Sequence, residues 1–474
     1  MWGLSVVYIT IGTAVVLLFP GIVNALDYCS VPNGATYTIN EHSTCRRVTN
    51  SHASGQAIFV ATKTAAEWST GPNSFINATP PGVTILACTC GNTDWSSASA
   101  GPIVENPSPV SGEWFGVDVA ISGNLIAASD INDNSGRGRI YAINATTGSV
   151  VSTFAGLTAN SYTGYSIGID GTNIAAGAPQ APVGATSTAG KVYIIDANTG
   201  TLLRTIDNPE PATGDVFGNI VDISGSLVAI ASPLDDGSGS DTGRVYIYNA
   251  ITGALVRTIN NPSPTSGDRF GEGLAIHGNR VVIAAAQDDT GASNAGIAFV
   301  FDATTGTLLS TFNNPTPASG DRMGRSILWT KAIDIENATA AVSAIADDTG
   351  GSDAGSVYIF NATTGALIRT INNPTPTNPS FGNSLSINNG YISITTPANF
   401  TAGTFSIRVY DIATGAQKSV VTLPGNAFAG SAPPAAISGS ALVAGNATFN
   451  PGSGIVGRVY VYNAQAGVCA SCAP

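Results

Sequence analysis

Charge is what this sequence has least of: only 10% of its 474 residues are charged, and there are just 3 histidines. So little charge cannot solvate a set of long surface helices, and with 55 glycines the chain reads as a turn-rich, many-stranded all-β protein. Lys and Arg total 18 against 30 Asp and Glu, a net charge of -12, with no basic cluster larger than the pair Arg46 and Arg47. A surface of that sign repels phosphate backbones and excludes nucleic acid as a partner. His42, His52 and His277 stand neither at metal-ligand spacing nor beside a recurring acidic partner, so no general-base centre is visible and no catalytic residue is assigned. Cysteine is absent from the middle of the chain: Cys29, Cys45, Cys88 and Cys90 come early, and Cys469 and Cys472 come at the end.

What is present begins with an apolar leader. Met1 to Ala25 has no charged side chain and ends in the small-residue stretch Val23-Asn-Ala25. It reads as a cleaved export signal or, since the usual positive leader is missing, as a retained anchor or filament-core segment. Either way the remainder is extracellular, secreted or at the cell surface, and touches a membrane only through this segment if it is uncleaved. Such a compartment is oxidising, which suits the six cysteines.

The strongest signal is repetition. A turn opened by Asn or Asp and closed by Gly recurs seven times, from Asn144-Ala-Thr-Thr-Gly148 and Asp196-Ala-Asn-Thr-Gly200 to Gly253, Gly306, Gly365, Gly415 and Gly467. The closing glycines are 52, 53, 53, 59, 50 and 52 residues apart. Alternating runs flank each turn, as in Arg244-Val-Tyr-Ile-Tyr248 and Leu255-Val-Arg-Thr-Ile259, and predict a β-hairpin. A linker of Asn-Pro type follows at Asn208, Asn261, Asn314 and Asn373, then two more apolar runs, such as Leu274-Ala-Ile276 and Val281-Val-Ile-Ala-Ala285. Four antiparallel strands per period and no crossover helix predict a seven-bladed β-propeller of four-stranded blades. It is expected over 106–474, with repeats at about 106–158, 159–207, 208–260, 261–313, 314–372, 373–423 and 424–474, behind a small cysteine-containing region at 26–105 and the hydrophobic segment at 1–25.

Phe115-Gly116, Phe217-Gly218, Phe270-Gly271 and Phe381-Gly382 open their periods, and Gly177-Ala-Pro179 follows a second strand. These residues resemble the FG-GAP repeat of integrin α-subunit propellers and their microbial relatives, over about residues 106 to 474. Met323-Gly324 and Thr163-Gly164 replace the Phe-Gly pair, Ser232-Pro233 stands for Gly-Ala-Pro, and the seventh period keeps neither clearly. The resemblance implies a seven-bladed fold and adhesion or ligand binding.

The seventh period ends early, with only Val468 to Pro474 after its turn, so its outer strand must come from elsewhere. Val83-Thr-Ile-Leu-Ala87 is strand-like and is the expected donor, clasped by disulfides from Cys88 and Cys90 to Cys469 and Cys472, with Cys29 to Cys45 stapling the early region. A Cys-x-Cys plus Cys-x-x-Cys zinc site is the competing reading.

Acidic turns fall between the second and third strands: Asp130 with Asn132 and Asn134, Asp235 and Asp236 with Asp241, Asp288 with Asp289, and Asp347 and Asp348 with Asp353. Such oxygens can cage Ca2+, and the resemblance implies calcium at loops of this kind, although Gly138 stands where the closing Asp of the first would be. The alternative is a hairpin loop held by its own Asx side chains. Sequons at Asn77, Asn144, Asn337, Asn361, Asn399 and Asn446 mark glycosylation candidates. Gly164-Tyr-Ser166-Ile-Gly168 and the glycines Gly452, Gly454 and Gly457 match catalytic or dinucleotide strings, but no helix follows either, so both read as strand and turn residues.

Three functions stay open: a non-catalytic binding or adhesion module for a protein or glycan ligand, a self-assembling subunit of a filament, sheath or virion coat, and a glycan-active enzyme whose carboxylates converge in the central channel.

Overall fold

The computed structural model describes residues 94–465 except 327–329, 400–403, 424–432 and 451–453, and before them only short strands from Val7–Ile11 to Val83–Ala87. The expectations placed on the leader, the six cysteines, His42, His52 and Asn77 fall outside the described residues. No helix among the described residues is long and apolar enough to cross a membrane.

Trp95 to Gln465 form one compact unit of seven antiparallel four-stranded sheets. The third blade, Val221–Ser224, Leu227–Ser232, Arg244–Asn249 and Leu255–Asn260, shows why each folds as it does. Its second strand is fully buried and wholly apolar but for Ser232, whereas its fourth is half exposed, as expected of a strand inside the blade and one on its outer edge. The hairpin between the third and fourth strands is an Asx turn: Asn249 Oδ1 accepts from the Ile251 and Thr252 amides at 3.0 and 2.8 Å, and Gly253 closes it at φ +76°.

The blades form a closed ring, each innermost strand lying against the next and the seventh against the first. Ile121, Ile169, Ile223, Ile276, Ile335, Ile387 and Ile437 occupy one equivalent position, a residue before the inner turn. In six of the seven blades, His277 of the fourth excepted, the following residue ties its blade to the next. Ser122 accepts from the Gly171 amide at 3.0 Å, Asp170 from Gly225 at 2.6 Å, Ser224 from Gly278 at 2.9 Å, Glu336 from Asn389 at 3.0 Å and Asn388 from Gly439 at 2.7 Å. Ser438 then returns to Gly123 at 3.1 Å, which closes the circle.

The Phe-Gly and Gly-Ala-Pro residues meet across blade boundaries. Phe115, Phe217, Phe270 and Phe381 are fully buried, and the glycine after each has φ between +83° and +100°. Gly177 of the second blade lies so close to Gly218 of the third that a Cβ on it would stand 2.0 Å from the Gly218 carbonyl oxygen. Gly445 meets Gly116 the same way, at 1.9 Å, so the seventh period does keep a glycine of this kind, without the flanking Ala-Pro that would have marked it. Gly177→Ala is expected to force the blades apart at a cost of about 1–3 kcal/mol, read as a lower urea midpoint at unchanged slope; an unchanged midpoint contradicts the contact.

The last blade corrects one expectation. Its sheet is Ala435–Ser438, Ala441–Asn446, Arg458–Gln465 and then Asp94–Glu105, so residues 94–105 complete it and the propeller begins there, ahead of the expected start at 106. The expected donor Val83–Ala87 pairs instead in parallel with Ala57–Ala61. A strand on the outer edge needs few apolar residues, so Asp94–Glu105 carries little pattern. Its anchors are Trp95, fully buried among Phe405, Leu423, Leu442 and Tyr460, and Val104, with Arg458 Nε donating to Glu105 at 2.8 Å. The edge left open by the short seventh period is thereby filled by the same chain.

Candidate functional site

All innermost strands run in one direction, so linkers and second-to-third-strand loops gather on one face while the inner and Asx turns gather on the other. On the loop-bearing face each linker is latched. Asn208, Asn261 and Asn314 each donate to an Asp seven residues on, Asp215, Asp268 and Asp321, at 2.9 Å. The same Asp oxygens accept the amides of Ala212, Thr265 and Ala318 at 2.7, 2.6 and 2.7 Å. Burial nonetheless leaves all three carboxyls above the usual range. Asn106 and Glu113 form the first copy of the latch at 2.9 Å, with Glu standing where the other copies have Asp.

The acidic loops beside them share one construction. The first Asp is buried: Asp235 Oδ1 accepts the Gly237 amide, Asp288 that of Thr290 and Asp347 that of Thr349, at 2.9, 2.7 and 2.7 Å. The second Asp is exposed and spans the loop, with Asp236, Asp289 and Asp348 accepting the amides of Asp241, Asn294 and Asp353 at 3.0, 2.8 and 2.8 Å. Those last three residues lie at φ +52°, +51° and +49°. Asp130 instead ends a strand, fully buried, and accepts from Trp114 at 3.0 Å and Asn132 at 3.3 Å, and burial pushes its carboxyl up to about 7. Asn134 sits at φ +50° in a tight turn. These oxygens hold their own loops, and among the described residues no three His, Cys, Asp or Glu side chains gather as a metal site.

The sequons differ in access. Asn144 and Asn361 use Oδ1 to cap the Asx turn, accepting from Thr147 and Thr363 at 2.9 Å each. Asn337 sits at φ +56° in an inner turn, Asn446 is 3% exposed, and the side chain of Asn399 lies outside the described residues. A glycan at Asn446 would have to be added before folding.

The central channel is where blades converge. At the end formed by the inner turns, a cavity of about 240 Å³ is lined by Asp118, Asp170, Asp222, His277, Lys331 and Asp334. Three of these carboxylates each hold the next blade: Asp118 Oδ2 accepts the Ile167 amide at 2.7 Å, Asp222 that of Ile276 at 2.9 Å and Asp334 that of Ile387 at 2.6 Å. Lys331 crosses from the fifth blade to the third, its Nζ 3.0 Å from Asp222 Oδ1. Burial pushes Asp118 up to about 7 against the pull of Lys331, and burial with the nearby Asp222 does the same to Asp334. Burial opposes the Lys331 charge too, but Asp222, Asp118 and Asp334 together hold its ammonium above the ordinary lysine range.

Lys331 is in the channel because of the one long period. From the glycine after Phe or Met to the inner strand, Gly324 to Ile333 spans nine positions where Gly218 to Val221 spans three, and the six extra residues match the spacing of 59 against 53. The same insertion puts Arg325 at the opposite mouth, beside Tyr165, Arg269 and Glu272. Sequence reasoning noted the spacing but not its contents.

A ring of four-stranded blades joined by glycine contacts at their Phe-Gly corners defines a β-propeller of FG-GAP construction. Residues 206–248, 262–301 and 317–360 match the FG-GAP repeat, and these three repeats together with the seven-bladed ring support an FG-GAP propeller family. No curated protein matches it in sequence. Among solved structures it is similar to the computationally designed Ika8 protein, at 15% identity and a TM-score of 0.45, over 76% of this chain and 98% of that one.

Proposed function

We propose that this protein is a non-catalytic extracellular binding module that recognises its ligand with the loop-bearing face. The observation carrying this reading is that the face is held rigid before any ligand arrives. Each acidic loop is capped by its own Asp and hydrogen-bonded to the following linker, as by Arg269 N to Asp241 O at 3.1 Å and Phe270 N to Thr242 O at 3.0 Å, and again by Arg322 N to Asn294 O at 3.0 Å. A prebuilt surface binds without the cost of ordering loops. Asp236, Asp289 and Asp348 stand outward in consecutive blades, so the face presents a row of carboxylates to a polar or basic protein or glycan. The channel carboxylates are already committed to bracing neighbouring blades, which favours binding over hydrolysis. The uncharged leader and the scarcity of charge support an extracellular address.

Surface plasmon resonance of the intact protein over a panel of immobilised glycans and matrix-type proteins tests the reading. The triple variant Asp236→Asn, Asp289→Asn, Asp348→Asn keeps the loop-capping oxygens, yet is expected to weaken ligand binding about tenfold through lost charge attraction. A variant of the opposite face, Asn198→Ala with Ile251→Ser, is expected to bind normally. Loss of binding only in the opposite-face variant overturns the proposal.

A further inference from the structure

The channel mouth on the loop-bearing face contains a cavity of about 260 Å³. Two guanidiniums meet there over one carboxylate: Arg269 Nη1 lies 3.9 Å and Arg325 Nε 3.5 Å from the same Glu272 oxygen. Arg269 is otherwise engaged, because Gln287, with its amide turned so that both its atoms are satisfied, accepts from Nε and Nη1 at 3.1 and 3.0 Å. Arg325 is not. Its Nε is buried without a hydrogen bond, its side chain is 31% exposed, and its approach to Glu272 is its only charge contact among the described residues. Two cations over one anion leave the mouth with one net positive charge on a chain of net charge -12. The Tyr165 ring, the Asn219 amide and the Ser326 hydroxyl line the rest, with Pro233 as an apolar wall.

We propose that this mouth binds a sugar bearing a single carboxylate, a uronic acid residue of a glycan, through Arg325. The inference rests on the binding-module reading and adds, at the centre of the same face, a second subsite of opposite charge to the loop carboxylates. A guanidinium presents paired donors that match the two oxygens of a carboxylate. One net positive charge suits a monoanion better than a phosphate dianion. The phenol ring offers a flat surface to the C–H face of a pyranose, while the amide and hydroxyl answer its hydroxyl groups. An acidic peptide shares the carboxylate but has no ring for Tyr165 to hold.

Isothermal titration of the intact protein with trigalacturonate at low salt, with maltotriose as the neutral sugar and triaspartate as the acidic peptide, decides the matter. Trigalacturonate is expected to bind and maltotriose not to. Arg325→Ala weakens the binding at least tenfold without altering Tm, Arg325→Lys falls between because it keeps the charge and loses the paired donors, and Glu272→Gln strengthens it severalfold by removing a competing anion. Equal affinity for maltotriose, triaspartate as tight as trigalacturonate, unchanged affinity in Arg325→Ala, or no heat at millimolar trigalacturonate each overturns the assignment. If trigalacturonate fails while a loop-face ligand still loses affinity in the triple Asp variant, only this inference falls. If that ligand is indifferent to the triple variant while Arg325→Ala abolishes trigalacturonate binding, the loop reading falls and the mouth stands.

Discussion

Lys331→Met is expected to destabilise the propeller by about 3–5 kcal/mol at pH 8, the usual result of leaving a buried carboxylate without its partner, and by much less at pH 5. The dependence follows from the channel cluster. Asp118 and Asp334 stand at about 7 in the folded chain against an ordinary carboxyl value of 3.8. Between those values the folded state holds protons that the unfolded chain has released, so stability falls as pH rises. The contribution of these two groups is fully present below about pH 4 and is lost as pH climbs through 7. The wild-type protein is therefore expected to melt higher at pH 5 than at pH 8. The double variant Asp118→Asn, Asp334→Asn keeps oxygens that accept the Ile167 and Ile387 amides but cannot titrate, so its Tm should vary less over that range. Asp170, Asp222 and His277 line the same cavity and remain in the double variant, which isolates the two groups named. A double variant with the wild-type slope would sink this account.

Removing the closing strand gives the second large effect. Trp95→Ala empties a fully buried site between the sixth and seventh blades and is expected to cost about 3–5 kcal/mol. A chain begun at residue 106 loses all of Asp94–Glu105 and exposes the unpaired edge of Arg458–Gln465, so it should aggregate or melt without cooperativity. A chain begun at residue 94 retains the strand and should melt as one unit. Differential scanning calorimetry on the three proteins is sufficient; a chain begun at 106 that melts like wild type would show that the ring does not depend on this strand.

Both results turn on residues that the repeat pattern did not flag, for a common physical reason. Six of the seven expected turns, their Asx chemistry and the glycines after Phe were legible because each is repeated and demands a particular backbone, as Gly253 does at φ +76°; at the seventh, Asn463 to Gln465 continue the strand Arg458–Gln465 and Gly467 falls outside the described residues. Asp94–Glu105 was not, because an outer strand lies half in water and shows no clean alternation. Its role passed to Val83–Ala87, which is more apolar but pairs elsewhere. Gly445 was missed because the close approach to Gly116 needs only the missing side chain, not the full Gly-Ala-Pro. The acidic loops were found correctly as loops, yet sequence could not tell a cage from a cap, since the same oxygens serve both until their partners are known. The channel cluster depends on residues from three blades more than a hundred positions apart, such as Asp222 and Lys331, and no linear spacing encodes that meeting.

The six-residue insertion of the fifth blade has a consequence for counting. A ring of seven interchangeable sectors offers any molecule approaching along its axis seven equal orientations, and any site on its rim seven times over. By placing Arg325 at one mouth and Lys331 at the other, a single irregular sector gives the axis a unique bearing, so a ligand seated there is held in one orientation and at a stoichiometry of one per chain.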